Sequence, residues 1–492
     1  MDSVQLRKSV DFFQKALGNS PDLIIRYIKL NDDLQVAVLY MDGLVNSESL
    51  HDFIIQPLIS LRNIEISPLL QSRRDTLTFL SEEVLCAGEI EIVQDRDAQL
   101  TNLLSGQSVI LVPGYTESLR INVSGVEERS VTEPLTQTVV RGPMEAFTEN
   151  FQRNVALIRR KIKDPNLWVD ARRIGTVTRT KVALMYISSI ASDKVVDEVR
   201  RRLDRIQIDG ILESGYIEEF IQDRTYTPFP TVYNSERPDV IAAGLLEGKV
   251  AILVDGTPFV LLVPALFIHF FQSPEDYAQR FDISTLIRLL RYISFFITLF
   301  APSLYIAVTT FHQEMLPTNL LINLAAQREG VPFPAFIEAL LMEITYEILR
   351  EAGIRMPRTV GQAVSIVGTL VIGQAAVQAG IISAVMVIIV SITAISSYVM
   401  PSGSMSISVR MLRFLFMGLA ASLGIFGIFA GILGLLFHLC KLRSFGVPYM
   451  TPLAPFISQD QKDTLFRYPW PRMKTRPALI GDKNKIRQKP DQ

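Results

Sequence analysis

The chain has 492 residues, of which 48% are apolar and 20% charged, and its formal net charge is −1. Basic and acidic residues number 30 and 40 in positions 1–285, 8 and 6 in positions 286–440, and 11 and 4 in positions 441–492. This distribution argues against a single soluble domain and indicates a soluble acidic part, an apolar membrane part and a basic tail. The two cysteines and four histidines are scattered, so we expect neither a disulfide nor a metal site nor a cofactor.

The first 285 residues contain two similar blocks in the same order. The 21 residues that begin at Leu34, LQVAVLYMDGLVNSESLHDFI, align without a gap with TKVALMYISSIASDKVVDEVR, which begins at Thr180. Further on, LLSGQSVILVPG (Leu103–Gly114) matches LLEGKVAILVDG (Leu245–Gly256). The repeat predicts two similar α/β subdomains, in residues 1–140 and 141–285. The amino terminus has no signal-peptide pattern, so we expect this part to be cytoplasmic.

Neither subdomain carries a recognisable catalytic or nucleic-acid motif. Gly106 and Gly248 precede the second matching strands, but no phosphate-loop spacing surrounds them, so they are interpreted as turn glycines. The stretch Glu145–Lys163 has the pattern of an amphipathic linker helix, and nearby glutamates offset its basic end. We therefore expect a solvated or subdomain-bridging helix that binds no nucleic acid, and no enzyme activity.

The apolar part begins with a short run and a first full-length span. Phe259–Phe271 contains 13 residues, which is short for a crossing, and the run predicts an interfacial or re-entrant segment. The first span is predicted over Tyr292–Thr310, and Arg288 and Arg291 before it favour a cytoplasmic start. An all-α membrane domain is expected over residues 286–440, with about four to six helical segments.

A row of glutamates lies on the predicted helix Phe336–Gly353. Glu343, Glu347 and Glu351 are spaced one turn apart, and like charges this close need compensation. Two interpretations stay open: a surface helix paired with its own arginines, or a vestibule that concentrates cations.

The next 41 positions, Val360–Met400, contain no charged residue and suffice for about two crossings of ~20 residues, with a turn near 378–380. A polar and small-residue stripe lies on one face of the first crossing: Gln362, Ser365, Thr369, Gly373 and Ala376. The stripe serves either close helix packing or the lining of a water-accessible pore in an oligomer, and both hypotheses stay open.

The last span is predicted over Leu412–Leu439. Its small residues are candidates for close helix contact: Gly424, Gly427, Gly431 and Gly434. An even number of crossings, preferably four, would place the basic tail, residues 441–492, in the cytoplasm.

Several motifs of this chain are specific to one family. They are VVRGPMEAFTENFQRNVALIRRKI (Val139–Ile162), SPEDYAQRF (Ser273–Phe281), HQEMLP (His312–Pro317), REGVPFPAFIEALLMEITYEILREAGIRMP (Arg328–Pro357), VGQAVSIVG and VIGQAAVQAG within Val360–Gly380, and SFGVPYMTPLAPF (Ser444–Phe456). With these motifs the chain resembles, over nearly its whole length, the A subunits of the GerA family of spore germinant receptors.

The resemblance implies a subunit of a complex in the inner spore membrane, together with a transporter-like B subunit and a lipoprotein C subunit. It also implies a homo-oligomeric ring that conducts monovalent cations when a nutrient triggers germination. Two alternatives stay open: a sporulation-stage paralogue of the same family that acts as an accessory germination channel, or a transporter. No inverted repeat supports the transporter.

Overall fold

The computed structural model describes residues 2–30, 34–61, 76–125, 133–134, 136–356 and 373–488. The first sheet contains β1 (Leu23–Lys29), β2 (Gln35–Met41), β3 (Ile90–Val93), β4 (Ser108–Leu111) and β5 (Ser118–Ile121). The second contains β6 (Leu167–Ile174), β7 (Thr180–Ile187), β8 (Tyr233–Ser235), β9 (Val250–Val254) and β10 (Val260–Val263).

The two sheets have the same topology, which confirms the predicted repeat. Their strand orders are β1-β2-β4-β5-β3 and β6-β7-β9-β10-β8, and all neighbouring strands run antiparallel. The strands matched in sequence, β2 with β7 and β4 with β9, hold the second and third places of each sheet. Gly106 and Gly248 lie in turns before β4 and β9, with φ of 86° and 97°, where glycine is favoured because it has no side chain.

Helices cover the faces of these sheets. They are α1 (Asp2–Ala16), α2 (Ser47–Leu50), α3 (Gln56–Ser60), α4 (Thr76–Phe79), α5 (Arg96–Leu104), α6 (Phe151–Lys161), α7 (Asp193–Asp204), α8 (Ser214–Ile221) and α9 (Pro238–Leu246). One π-helical turn, His51–Ile55, joins α2 to α3, and another, Leu80–Val84, follows α4. Alternate residues of β9 enter different cores, since side chains alternate across a strand: Val250 and Ile252 pack on one face, Ala251 and Leu253 on the other.

Helix α6 bridges the two subdomains. It begins at Phe151 after Asn150, whose side chain accepts a hydrogen bond from the Arg153 amide and caps the helix. Its buried Arg159 donates from Nε to the Asp22 carboxylate of the first subdomain at 2.5 Å. The bridging interpretation of this segment is therefore confirmed, although the helix begins six residues later than predicted.

The run Phe259–Phe271 is not an interfacial membrane segment, so that prediction is wrong. Its first part is β10, which pairs with β8 and β9, and its second part is a buried 3₁₀-helix, Phe267–Phe271. The run is continuously apolar because a central strand covered on both faces needs no polar alternation. Apolar composition alone could not separate the two structures.

The second half of the chain is helical. Its helices are α10 (Glu275–Ala278), α11 (Phe281–Thr310), α12 (Thr318–Arg328), α13 (Ala335–Arg355), α14 (Gly373–Gln378), α15 (Ala384–Val399) and α16 (Gly403–Lys441). Three 3₁₀-helical turns lie outside these helices: Gln313–Met315, Ser458–Lys462 and Trp470–Arg472. A short hairpin follows α16 and consists of β11 (Arg443–Ser444) and β12 (Val447–Pro448). Within the described residues, α11 and α16 are the two helices long and apolar enough to cross a membrane.

Helix α16 is not one continuous span. Gly424 has φ 61° and ψ −140°, which lie outside the helical region and break the helix. A Cβ atom built on Gly431 would lie 2.6 Å from Phe416 Cε1, although these residues would be about 22 Å apart along a continuous helix. The chain therefore reverses at Gly424, and the predicted single last span is two antiparallel helices.

The tail returns to the second subdomain. Arg487 pairs with Glu247 at 3.3 Å, and Lys483 pairs with Asp193 at 2.6 Å. Near the end of α16, the Thr227 hydroxyl contacts the His438 ring at 2.8 Å. The helical half therefore begins and ends on the same side of the molecule, next to the second sheet.

Candidate functional site

The acidic row of α13 faces two arginines of α16. Glu343 pairs with Arg413 at 2.6 Å, and both side chains are completely buried. Glu347 pairs with Arg410 and also with Arg413, the latter at 3.3 Å. Glu351 is exposed and pairs with Arg355 of its own helix at 2.6 Å. The first two glutamates are thus neutralised across a helix interface, and only the third follows the own-arginine interpretation.

The Glu343–Arg413 pair is incompletely satisfied. Among the described residues, Glu343 Oε1 has no donor, and Arg413 Nε and Nη1 have no acceptor. Removing two charges from water is costly, and an ion pair with unsatisfied polar atoms does not recover all of that cost. Ionisable groups in an apolar helix bundle commonly mark ion pathways or conformational switches.

The arginine partners were not predicted from the sequence. Arg410 and Arg413 lie at the start of the predicted last span. Their three-residue spacing places them on one helix face, as does the four-residue spacing of Glu343 and Glu347. These complementary spacings were the available indication.

Glu338 is a second buried carboxylate that the row omits. It accepts hydrogen bonds from the amide and the hydroxyl of Ser383, the residue that caps α15. The amide contact measures 2.6 Å, and Arg328 approaches at 4.0 Å. Glu338 therefore fastens the start of α15 to α13, since a carboxylate at a helix amino terminus is favourable.

Only part of the predicted pore stripe falls on described residues. Gln362, Ser365 and Thr369 lie outside them. Gly373 is buried against α15, where a Cβ atom would lie 3.6 Å from Val387. Ala376 is half-buried, and its carbonyl accepts from the Ile381 amide in the turn before α15. The pore-lining role of this face stays a prediction.

The glycines of α16 have different surroundings. Gly424 breaks the helix beside Phe311 and His312, at the end of α11. A Cβ atom on Gly427 would overlap the Leu419 carbonyl oxygen, and Gly431 faces Phe416. These two glycines therefore allow the halves of α16 to pack closely within one chain.

Gly434 differs from these three glycines, because a Cβ atom there would have no described atom within 4 Å. Whether any of the four glycines contacts another chain stays a prediction.

A buried ionic network joins α10, α11 and the tail. Asp276 pairs with Arg288 at 3.0 Å and with Arg291 at 2.8 Å. Arg288 also pairs with Asp463 of the tail at 2.8 Å, and the Tyr277 hydroxyl donates to the same carboxylate. Burial raises the pKa of Asp463, and Arg288 opposes this shift. The two arginines predicted as membrane-flanking charges thus hold the start of α11 and the tail together.

No group of three or more potential metal ligands occurs within the described parts of the chain. The arrangement consists of paired charges and close helix contacts.

Known proteins are similar to this chain over most of its length. The profile of the family described as "Bacillus/Clostridium GerA spore germination protein" matches residues 11–479. Spore germination protein KA of Bacillus subtilis (strain 168) is 52% identical over 492 residues, 100% of this chain and 89% of the relative. The uncharacterized membrane protein YfkQ of the same organism is 43% identical, over 98% of this chain and 92% of its own.

One further relative and one solved structure are also similar to this chain. Spore germination protein GerLA of Bacillus cereus is 38% identical over 95% of this chain and 94% of its own. The crystal structure of the N-terminal domain of the A subunit of the Bacillus megaterium spore germinant receptor GerK3 covers 54% of this chain and 96% of its own, with 40% identity and a TM-score of 0.42. From the family match and these identities, the chain belongs to the GerA family of Bacillus/Clostridium spore germination proteins.

Proposed function

We propose that this protein is the A-type membrane subunit of a spore germinant receptor in the inner spore membrane, with residues 1–285 and the tail in the cytoplasm. The observation that carries the membrane placement is the number of large apolar side chains exposed on α11 and α16. Large apolar side chains are exposed along both helices: Leu286, Leu290, Ile293, Phe296, Leu304, Leu415, Leu423, Phe426, Phe429, Leu433 and Phe437. A soluble protein rarely exposes so much contiguous apolar surface, whereas lipid would cover it.

We further infer that several copies assemble into a ring that conducts monovalent cations, alongside B-type and C-type subunits. The buried Glu343–Arg413 pair supports a functional role of the helical half, because charges inside an apolar bundle are expensive to keep. The face formed by Gln362, Ser365, Thr369, Gly373 and Ala376 is the proposed pore lining. Its polar and small side chains would face water while apolar neighbours face lipid.

The cation vestibule is proposed for the row Glu343, Glu347 and Glu351. Glu343 and Glu347 are paired with Arg413 of the same chain. Glu351 pairs at the surface, so its substitution tests the row without breaking a buried pair. Glu351→Gln is expected to lower single-channel cation current, most at low salt where screening is weak. The test fails if current is unchanged at every salt concentration.

Ion flux through the purified full chain tests the proposal. In liposomes we expect potassium efflux that Gln362→Leu combined with Thr369→Val reduces severalfold. Val367→Leu, on the opposite side of the same predicted helix, is the matched control and should retain flux. Absence of flux from a correctly inserted chain would favour a scaffold, and saturable, substrate-coupled flux would favour a transporter.

A further inference from the structure

The segment Asp223–Thr227 is attached at both ends to the end of α16. The Thr227 hydroxyl contacts His438 Nε2 at 2.8 Å, and the Phe445 amide donates to the Asp223 carboxylate at 2.7 Å. His438 and Phe445 lie on either side of Lys441, where α16 ends. The three residues between the attachment points therefore lie beside the place where the chain leaves the apolar helix.

The attachment is reinforced from the second subdomain. Arg202 of α7 pairs with Asp223 at 2.8 Å and donates to the Ile221 carbonyl at the end of α8. Its guanidinium lies over the Phe445 ring, 4.3 Å from the centroid. Since this arginine contacts both sides, the position of the segment relative to α16 is fixed by several contacts and not by one.

The exposed side chains next to these contacts are mostly basic. Tyr226 is 98% exposed, and Arg224, Lys441 and Arg443 are also exposed. Asp223 is already paired with Arg202, and Glu219 is the exposed acidic residue one turn earlier on α8. Arg224 is therefore held two residues before Tyr226, and Lys441 and Arg443 lie between the two residues, His438 and Phe445, to which the segment is attached.

The apolar surface of α16 ends at the same level. Its second half exposes a face that runs through Phe426, Phe429, Leu433 and Leu436 to Phe437, which is 74% exposed. The next residue, His438, contacts Thr227. The exposed apolar residues of α16 thus extend to the residue before His438, and the partner of His438, Thr227, directly follows Tyr226 in the chain.

We propose that Tyr226, Arg224, Lys441 and Arg443 form a site for the headgroups of anionic phospholipids, which anchors the second subdomain to the membrane surface. This inference rests on the membrane placement proposed above. Tyrosine is enriched at the level of lipid headgroups, because its ring can contact the apolar region while its hydroxyl stays in water. Each basic residue near an anionic bilayer strengthens binding about fivefold.

A depth measurement on the full chain tests the site. Cys86 and Cys440, both free and exposed, are replaced by serine, and a polarity-sensitive fluorophore is attached at Tyr226→Cys. The protein is placed in nanodiscs of phosphatidylcholine with about one-third phosphatidylglycerol, which carry a quencher near the headgroups or at the ends of the tails. Headgroup-level quenchers should reduce emission from position 226 at least twofold more than tail-end quenchers.

Two further positions make each outcome decisive. Phe429→Cys on the exposed face of α16 should respond to the deep quencher, and Val177→Cys, 78% exposed between β6 and β7, should respond to neither. If position 226 behaves like position 177 while position 429 responds, the inference is wrong and the membrane placement stands. If position 429 also fails to respond, the membrane placement itself is wrong. Emission from position 226 that is apolar but unquenched would mean that protein covers it, which also overturns the inference.

The charge preference is tested separately. With wild-type charges, headgroup-level quenching at position 226 should fall at least twofold when phosphatidylglycerol is omitted or when salt is raised to about 0.5 M. Replacing Arg224, Lys441 and Arg443 together by glutamine should abolish this dependence, and replacing the two arginines by lysine should preserve it. A dependence that survives in the glutamine variant would show that other residues bind the lipid.

Discussion

At the scale of residues, the buried pair of Glu343 and Arg413 distinguishes the helical half from an inert apolar bundle. Both side chains are inaccessible, yet each has polar atoms without a partner in the described structure. Replacing such a pair by apolar residues is often neutral, whereas removing one member leaves an uncompensated charge. The net contribution of the pair to stability is therefore small, but losing either member would strongly destabilise the contact between α13 and α16.

We expect Glu343→Gln to destabilise the full chain by about 3–5 kcal/mol, because Arg413 would stay charged without its main partner. Glu351→Gln removes an exposed pair with Arg355 and should cost no more than ~1 kcal/mol. Thermal unfolding in detergent, with purified yield as a second readout, compares the two variants. Equal effects would mean that the buried pair does not hold the helices together; reversing the pair, with Arg at 343 and Glu at 413, should restore part of the loss.

His269 provides a pH-dependent residue in the second subdomain. Its Nδ1 accepts a hydrogen bond from the Leu266 amide at 2.9 Å, so this nitrogen carries no proton in the folded protein. Burial lowers the pKa of His269 well below 6.5, and the nearby Lys249 charge lowers it further. As pH falls below 6.5, His269 therefore binds a proton in the unfolded chain but not in the folded chain, and stability decreases.

The free energy of unfolding should accordingly decrease below pH 6.5, by up to about 1.4 kcal/mol per pH unit from this residue. His269→Gln keeps an acceptor for the Leu266 amide and should reduce that dependence. Burial raises the pKa of Asp460 and Asp463, which acts in the opposite direction, so thermal unfolding between pH 5 and 7.5 is compared between variant and wild type. His51→Gln, at an exposed position, serves as control; an unchanged slope in the His269 variant would contradict the assignment.

Among the helices, the reversal of α16 explains why glycine is present at positions 424, 427 and 431. Gly424 is at positive φ, where a side chain is strained, and Gly427 and Gly431 lie where the two halves touch. The sequence predicts close helix contact through these residues. It did not predict the reversal, because an uncharged run of helix-forming residues has the same composition whether it is straight or folded back.

We expect Gly431→Leu to destabilise the helical half by roughly 1–3 kcal/mol, since the added side chain would collide with Phe416 and Leu419. Gly434→Leu is the matched control, because no described atom lies within 4 Å of its Cβ position. The distance between spin labels at positions 415 and 436, measured in detergent, should increase in the first variant and not in the second. Unchanged distances in both would contradict the intrachain contact.

The elements that sequence reasoning predicted well are those with a regular pattern or a repeat. The matching blocks at Leu34 and Thr180 defined equivalent strands, and Gly380, with φ 67°, lies at the predicted turn before α15. Phe259–Phe271 was misassigned because burial on both faces removes the alternation that identifies a strand. The pairing of Glu343 with Arg413 and of Asp463 with Arg288 was not predicted, because each contact joins segments distant in sequence.

At the scale of the whole molecule, the tail connects the end of the helical half to its beginning. Asp463 reaches Arg288 at the start of α11, and Arg487 reaches Glu247 in the second subdomain. A tail on the opposite side of a membrane could make neither contact. This packing agrees with an even number of crossings, which stays a prediction.

Reporter fusions after Ser284 and after Lys474 should therefore both report the cytoplasmic side. A reporter inserted at Gly330, between α12 and α13, should report the outer side, because the chain there approaches the Gly380 turn, at the end of the helical half remote from His438. A Cβ atom built on Gly330 has no described atom within 4 Å, so an insertion there meets little obstruction. Arg288→Leu in the Lys474 fusion tests the packing itself, since it removes both ion pairs of that arginine and should expose the tail to protease without changing sides. An external report from Lys474 in the unmodified chain would contradict both the even number of crossings and the tail contacts.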